Sequence, residues 1–217
     1  MMLCEGCVHL GLLSRPLSMN RSQQVTIPAE KDGVDMQAII AMLRGVNVGP
    51  HNRISMDALR ALYGSLKLRN AQTYVQSGNV VFASNERNLS ALSERIDDAF
   101  EKTFGFRSAV ILRTVPEMRE VIAKNPFAER EDIEPSKLLV TFLAEELSPE
   151  AQKHLEAIKV GPEEIKARAR EVYVYFPNGV GRSKLPAMMD RVLKRSGTAR
   201  NWNSVTTMLE MAEQIQS

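Results

Sequence analysis

Cysteine is scarce in this chain, which has Cys4 and Cys7 as its two cysteines among 217 residues. They form a C-x-x-C pair, but the second pair of ligands that a structural zinc site requires does not follow. We therefore interpret the pair as a chance spacing and predict neither a metal site nor a cofactor. The lack of cysteine in the rest of the chain suits a reducing cytosol, so we expect a cytoplasmic protein.

Long apolar runs and a strong net charge are also missing. No run approaches the roughly 20 apolar residues that cross a membrane, which predicts a protein outside the membrane. The 28 basic and 26 acidic residues leave a formal net charge of +2. A charge this small argues against a protein that binds nucleic acid over its whole surface, although it is compatible with a local basic face.

Recognisable catalytic motifs are absent. His51 and His154 are the histidines that follow residue 35, and neither belongs to a catalytic pattern. The chain has no nucleophile elbow and no HExxH pair, and GVGRSK at 179–184 lacks the spacing of a phosphate-binding P-loop. The sequence therefore does not establish whether the protein is an enzyme.

Residues 1–35 have no sustained period of 2 or 3.6 and are interrupted by Gly, Pro and Ser. This composition predicts a poorly ordered N-terminal extension. Because a strand is predicted directly after Met36, we expect Met36 to be the natural start of the protein.

Residues 36–125 are predicted to alternate strands and helices in the order β-α-β-β-α-β, the order of a ferredoxin-like module. In that topology the 44–53 loop and the 77–79 turn lie at the same end of the sheet. Arg44, Asn47 and Asn79 would then lie close together. Such an edge is either a pair of ordinary turns or a place where a ligand binds.

Residues 126–217 repeat much of this pattern as a second module of the order β-α-β-β-α. A helix from about Ser204 to Ile215 is predicted to follow in place of a fourth strand. The acidic segment 127–136 is predicted to link the two modules. We therefore expect an α+β protein, with a ferredoxin-like module followed by a second module that ends in a C-terminal helix.

The stretch 178–203 concentrates the positive charge of the chain. It has six basic side chains and one acidic side chain, a net charge of +5 against +2 for the whole chain. Ser183 is placed to cap one helix, and Asn201 or Asn203 is placed to cap the last helix. A helix start exposes N–H groups and a partial positive charge. If the two helix starts lie together, they form an anion pocket in which Trp202 stacks on a base.

Twelve residues in these loops are our candidates for binding a ligand. They are Arg44, Asn47, Ser77, Asn79, Asn178, Arg182, Ser183, Lys184, Arg200, Asn201, Trp202 and Asn203. The alternative is that these residues only shape turns and cap helices, and that Trp202 anchors the core. Arg191, Lys194 and Arg195, at helical spacing, are more typical of a solvated helix face.

Four segments resemble the signatures of domain-of-unknown-function family 1697, in the same order. They are LRGVNVG (43–49), YVQSGNVVF (74–82), FPNGVGRSKL (176–185) and ARNWNSV (199–205). The resemblance covers about residues 36–211 and excludes residues 1–35. It implies a bacterial cytosolic α+β protein without an established activity. At Pro50 and His51 the chain departs from the Gly-, Asn- and Lys-rich loop of the family.

The resemblance also marks the residues that match the family motifs. These are the candidate residues named above, together with Gly45, Gly49, Gly78, Gly179 and Gly181. They are small, polar or aromatic, and they fall in the same loops that the charge and capping patterns indicate.

Three kinds of function are compatible with the sequence. The leading hypothesis is an anion-binding protein whose partner is a phosphate-bearing ligand, either a nucleotide or RNA. One alternative is a structural module that binds no ligand and forms a homodimer through its C-terminal helices. The other alternative is a hydrolase- or transferase-type enzyme that uses carboxylates.

Overall fold

Two antiparallel sheets of four strands each, with six helices, make up the described part of the chain. The computed structural model describes residues 36–48, 52–194 and 196–216. The predicted extension 1–35, with its C-x-x-C pair, lies outside the described residues. So do Gly49, Pro50, His51 and Arg195.

The first half of the molecule, up to residue 125, contains four strands and three helices. They are β1 (Gln37–Leu43), α1 (Met56–Ser65), β2 (Arg69–Tyr74), β3 (Asn79–Ser84), α2 (Leu89–Phe104), β4 (Val110–Thr114) and α3 (Val115–Ala123). The strands form one sheet in the order β2-β3-β1-β4, with every neighbouring pair antiparallel. The predicted element order of this half is confirmed.

The second half, from residue 126, has the same order of elements. They are β5 (Leu138–Phe142), α4 (Pro149–Ala157), β6 (Glu164–Arg168), β7 (Glu171–Tyr175), α5 (Leu185–Val192), β8 (Thr198–Asn201) and α6 (Trp202–Gln216). The sheet order β6-β7-β5-β8 repeats that of the first half. The expected α+β class is confirmed, whereas the division into two separate domains at residue 125 stays a prediction.

The prediction that a helix takes the place of a fourth strand in the second half is wrong. β8 pairs with β5, and α6 begins directly after it at Trp202. The strand is only four residues long, and its sequence TARN has a single β-branched residue. A segment this short and polar carries no strand period, so only its pairing with β5 makes it a strand.

Local sequence signals set the starts of the helices. The hydroxyl of Ser55 accepts a hydrogen bond from the N–H of Ala58 at 3.0 Å, as predicted for the N-cap of α1. Ser148 caps α4 in the same way. Gly105 ends α2 with a φ of +77°, the left-handed conformation that glycine adopts at low cost. These signals fix the helix ends that position the strands.

Three apolar clusters lie on the faces of the two sheets. α1 and α2 cover the outer face of the first sheet, and α4 and α5 pack on the outer face of the second sheet. The third cluster contains residues of both sheets together with α3 and α6. The two sheets therefore share a central core, and neither sheet buries both of its faces within its own half.

Two buried arginines join the halves in a reciprocal way. We call β1 and β5, the first strand of each half, the central strands. Arg113 on β4 lies opposite the middle residue of β1, and Arg200 on β8 lies opposite the middle residue of β5. The Nη2 group of Arg113 donates to the carbonyl oxygen of Leu143, at the end of β5, at 2.8 Å. The Nη2 group of Arg200 donates to the carbonyl oxygen of Leu43, at the end of β1, at 2.7 Å. Each arginine thus binds the central strand of the other half.

The partners of the two arginines differ in charge. Arg113 donates from Nε and Nη2 to the carboxylate of Glu171, at 3.1 and 2.8 Å. Arg200 donates from Nε to the side-chain oxygen of Asn79. Glu171 and Asn79 occupy equivalent places, because each is the first residue of the strand next to the central one. One arginine therefore has a counter-ion at this position and the other has a neutral amide.

We expect Arg113→Met to destabilise the protein by about 3–5 kcal/mol, because it leaves the carboxylate of Glu171 partly buried without its cation. Arg119→Met is the matched control, since Arg119 forms an exposed ion pair with Glu213. That substitution should cost less than about 1 kcal/mol. Urea unfolding of both variants measures the difference, and equal free energies of unfolding would contradict a structural role for Arg113.

Candidate functional site

The loop after β1 and the turn between β2 and β3 meet at one end of the first sheet. The side-chain amide of Asn47 donates to the carbonyl oxygens of Ile54 at 3.1 Å and Gln76 at 2.9 Å. The N–H of Leu43 donates to the carbonyl oxygen of Gly78 at 2.9 Å. A Cβ at Gly78, whose φ is +73°, would lie 2.9 Å from the Cβ of Leu43. The predicted meeting of the two loops is confirmed, and Asn47 holds them together.

Asn79 links this edge to the second half. It is fully buried, and its amide nitrogen donates to the hydroxyl of Ser77 at 3.0 Å and to the carbonyl oxygen of Tyr74 at 3.3 Å. These two bonds fix the amide so that its oxygen faces the guanidinium of Arg200. Both the nitrogen and the oxygen of the Asn79 side chain therefore bond to groups within the protein.

The guanidinium of Arg200 is the centre of the contact between the halves. The residue is 7 % exposed, and its N–H groups donate to five acceptors, all of them neutral. These acceptors are the side chains of Asn79 and Thr198 and the carbonyl groups of Leu43, Ser77 and Ala199. No ion pair joins Arg200 to a carboxylate elsewhere in the described ranges. Burial lowers the pKa of Arg200 to about 10, because water no longer stabilises the charged form.

A cavity opens beside Arg200 on the outer face of the second sheet. We call it the β5–α5 cavity, and its volume is about 300 Å³. Its wall consists of Arg44, Gly45, Val48, Leu139, Thr141, Val174, Phe176, Val180, Pro186, Met189, Asp190, Leu193, Gly197, Thr198, Ala199 and Arg200. The loop after β1 thus forms one side of a cavity whose other sides belong to the second half.

The length of α5 explains why this cavity exists. α2 has sixteen residues and α5 has eight at the equivalent place in the second half. At a rise of about 1.5 Å per residue, α5 is roughly 12 Å shorter than α2. The shorter helix leaves part of the central strand β5 without a cover.

Arg44 supplies the second cationic side chain of the cavity. It follows β1 directly, and its backbone is held by bonds to Ala109 and Ser108. Within the described residues, its guanidinium makes no hydrogen bond or ion pair with another side chain. Asp190 is the acidic residue of the cavity wall, and it is exposed. The cavity wall therefore includes two basic residues and one acidic residue.

The predicted loop 178–184 contributes little to this cavity. Asn178, Arg182 and Lys184 are exposed and are not part of the cavity wall, to which the loop contributes Val180. Ser183 is not the N-cap of α5 as predicted, because the helix begins at Leu185 and Lys184 is its N-cap residue. The hydroxyl of Ser183 accepts from the N–H of Leu185 at 3.1 Å and donates to the carboxylate of Glu163 at 2.5 Å. Arg191 is exposed on α5, as expected for a solvated helix face, whereas the exposed Lys194 lies beyond the end of the helix.

The other predicted end, 200–203, divides into separate roles. The side-chain oxygen of Asn201 accepts from the N–H of Ser204 at 2.8 Å, which confirms its predicted place as the cap of the last helix. Asn203 is exposed within α6. Trp202 is partly buried and packs against the central core, as in the alternative interpretation. The structure thus places Arg44 and Arg200 in the wall of one cavity. Asn79 binds Arg200 but is not part of this wall, and neither are Arg182 and Trp202.

Sequence reasoning missed Arg113 and the apolar wall of the cavity. The only signal for Arg113 is a cation directly after the apolar run of β4, in VILRT. The wall residues Leu139, Val174 and Met189 have no distinguishing pattern, because apolar residues in strands and helices are normally core residues. Their exposure to a cavity depends on the length of α5.

We expect Trp202→Ala to lower the free energy of unfolding by about 2–3 kcal/mol, because the ring packs on the central core. Trp202→Phe keeps an aromatic ring there and should cost less. Urea unfolding provides the comparison. A loss of nucleotide binding in Trp202→Ala, with unchanged stability, would instead support the stacking role that the sequence predicts.

Comparisons with known proteins place the chain in a family. The model of the family described as protein of unknown function (DUF1697) matches residues 36–173, and the chain belongs to this family. The solved structure of conserved bacterial protein SP0830 from Streptococcus pneumoniae is similar, with a TM-score of 0.63 and 21% sequence identity. That similarity covers 82% of this chain and 99% of the other, and it shows the fold alone. No curated protein matches the chain significantly.

Among the described residues, no helix combines the length and the apolar composition needed to cross a membrane.

Proposed function

We propose that this member of the DUF1697 family binds a phosphate-bearing anion in the β5–α5 cavity. One observation carries the proposal: Arg200 belongs to the cavity wall, and its buried guanidinium has five neutral acceptors and no carboxylate partner among the described residues. The equivalent arginine, Arg113, has Glu171 as its counter-ion. An anion in the cavity would supply the charge that the second site lacks.

The buried charge of Arg200 is costly to the protein. A cation that has lost its water is destabilised unless an opposite charge or hydrogen bonds replace the water. Neutral acceptors replace the hydrogen bonds of Arg200, but they leave its charge in place. In a medium of low dielectric constant that charge acts more strongly on a nearby anion than it would in water. Arg200 therefore attracts an anion without giving up its internal bonds.

Arg44 has the complementary role. Its guanidinium has no partner among the described side chains, so its N–H fork is available for two oxygens of a phosphate group. In this proposal Arg44 forms the direct hydrogen bonds, whereas Arg200 contributes charge. The single acidic wall residue, Asp190, is exposed, so water weakens its repulsion of the ligand.

We expect Arg44→Gln to weaken the binding of a phosphate-bearing ligand about tenfold or more, because a charge-assisted hydrogen bond is lost. Arg182→Gln is the matched control, since it removes the same charge from an exposed residue outside the cavity wall. It should change the affinity less than about twofold. A thermal-shift screen with inorganic phosphate, nucleotides, phosphosugars and RNA oligomers selects the ligand, and calorimetry then measures both variants.

Two results would overturn the proposal. The first is a screen in which no phosphate-bearing compound raises the melting temperature of the native protein. The second is binding that Arg182→Gln weakens and Arg44→Gln does not, since this would place the anion at the exposed loop. RNA binding that falls steeply with salt would indicate contact with a basic surface and not with this cavity.

A further inference from the structure

The outer faces of the two sheets differ at their central strands. In the first half, Ile39 and Ala41 on β1 are fully buried under α1 and α2. The residues at the equivalent places of β5 are Leu139 and Thr141, which are only half-buried. Both form part of the wall of the β5–α5 cavity. The outer face is therefore closed at β1 in the first half and open at β5 in the second half.

The open face is apolar over most of its area. Val174 and Phe176 of β7 continue it beside Leu139, and Met189 and Leu193 close it from the side of α5. The two arginines lie at the end of this surface where β1 of the first half ends, because Arg44 follows β1 and Arg200 binds the end of β1. The cavity thus has a cationic end and an apolar remainder.

The dimensions of the cavity restrict what fits there. Its volume of about 300 Å³ is at the small end of the range of ligand pockets, roughly 300–1,000 Å³. A phosphate group alone would leave the apolar part in contact with water. A nucleotide would place a polar sugar and a base against a mostly apolar wall, which offers them few hydrogen bonds.

We infer that the ligand is a compact phosphate monoester with a short alkyl or aryl group, which lies on the half-buried face of β5 while its phosphate lies between Arg44 and Arg200. This inference rests on the proposed function and narrows it. A phosphate with an apolar group matches both parts of the wall, because the oxygens contact the cations and the apolar group covers Leu139. Burial of that group adds affinity in proportion to its area.

A series of phosphates with increasing apolar groups tests the inference. Calorimetry on the native protein compares inorganic phosphate with methyl, ethyl, propyl, butyl and phenyl phosphate, and with adenosine monophosphate. The affinity should rise roughly two- to fourfold with each added methylene group until the cavity is filled. Adenosine monophosphate should bind more weakly than butyl phosphate.

A pair of leucine variants locates the apolar contact. Leu139→Ala removes part of the cavity wall and should weaken butyl phosphate about threefold or more while leaving inorganic phosphate unchanged. Leu147→Ala is the matched control, since Leu147 packs half-buried against the same outer cluster but is not part of the cavity wall. It should change neither affinity. Thermal melting of both variants verifies that they fold.

The outcomes separate this inference from the proposed function. Binding that depends on Arg44 but does not rise along the series overturns the inference and leaves the anion site intact. So does a rise that Leu139→Ala and Leu147→Ala reduce equally, because the apolar group would then lie elsewhere. If no phosphate in the series binds in a way that Arg44→Gln weakens, the anion site itself is wrong. Equal binding of butanol and butyl phosphate would also overturn both.

Discussion

The reciprocal exchange of two arginines is the interaction on which the arrangement of the two sheets depends. A buried guanidinium costs several kcal/mol unless its charge and its N–H groups are satisfied. Arg113 and Arg200 satisfy part of their N–H groups with acceptors from the opposite half, the carbonyl oxygens of Leu143 and Leu43. Neither arginine would find these acceptors within its own half. The orientation of the sheets is therefore tied to the burial of two charges as well as to the central core.

The two halves repeat one topology, and two of the differences between them lie at the candidate site. Asn79 stands where the other half has Glu171, so that Arg200 has no counter-ion among the residues that the structure describes. α5 has half the length of α2, which leaves the face of β5 open. Each difference costs stability when considered alone, because one leaves a charge unneutralised and the other leaves apolar surface uncovered. The proposed ligand, with an anionic end and an apolar group, would offset both costs.

The sequence predicted the elements of the fold better than their contacts. The helix starts at Ser55 and Ser148 and the meeting of the two loops followed from local capping and turn chemistry. β8 was missed because its four residues have no period of their own. The predicted anion pocket stays a prediction. Arg44 and Arg200 share a cavity wall, but the cations Arg182 and Lys184, which stood out in the sequence, are exposed.

The contacts of the candidate site could not be predicted from the sequence for a physical reason. Charge density and glycine spacing are local properties, and they describe a loop without saying which surface it faces. The cavity depends on the length of α5 relative to α2, which lies about 100 residues earlier in the chain. It also depends on the register that places Arg200 opposite the middle of β5. Such long-range relations have no pattern in a single sequence. The motifs of the DUF1697 family included Arg44 and Arg200, but they did not separate these two from the residues that only shape the loops.

The location of a bound anion tests the central claim, that Arg44 and the buried charge of Arg200 form one anion site. Crystals of the protein can be soaked in selenate, a tetrahedral oxyanion that scatters anomalously. We expect the strongest anomalous peak inside the β5–α5 cavity, in contact with the guanidinium of Arg44. An empty cavity, with the strongest selenate peak at Arg182 or Lys184, would contradict the account.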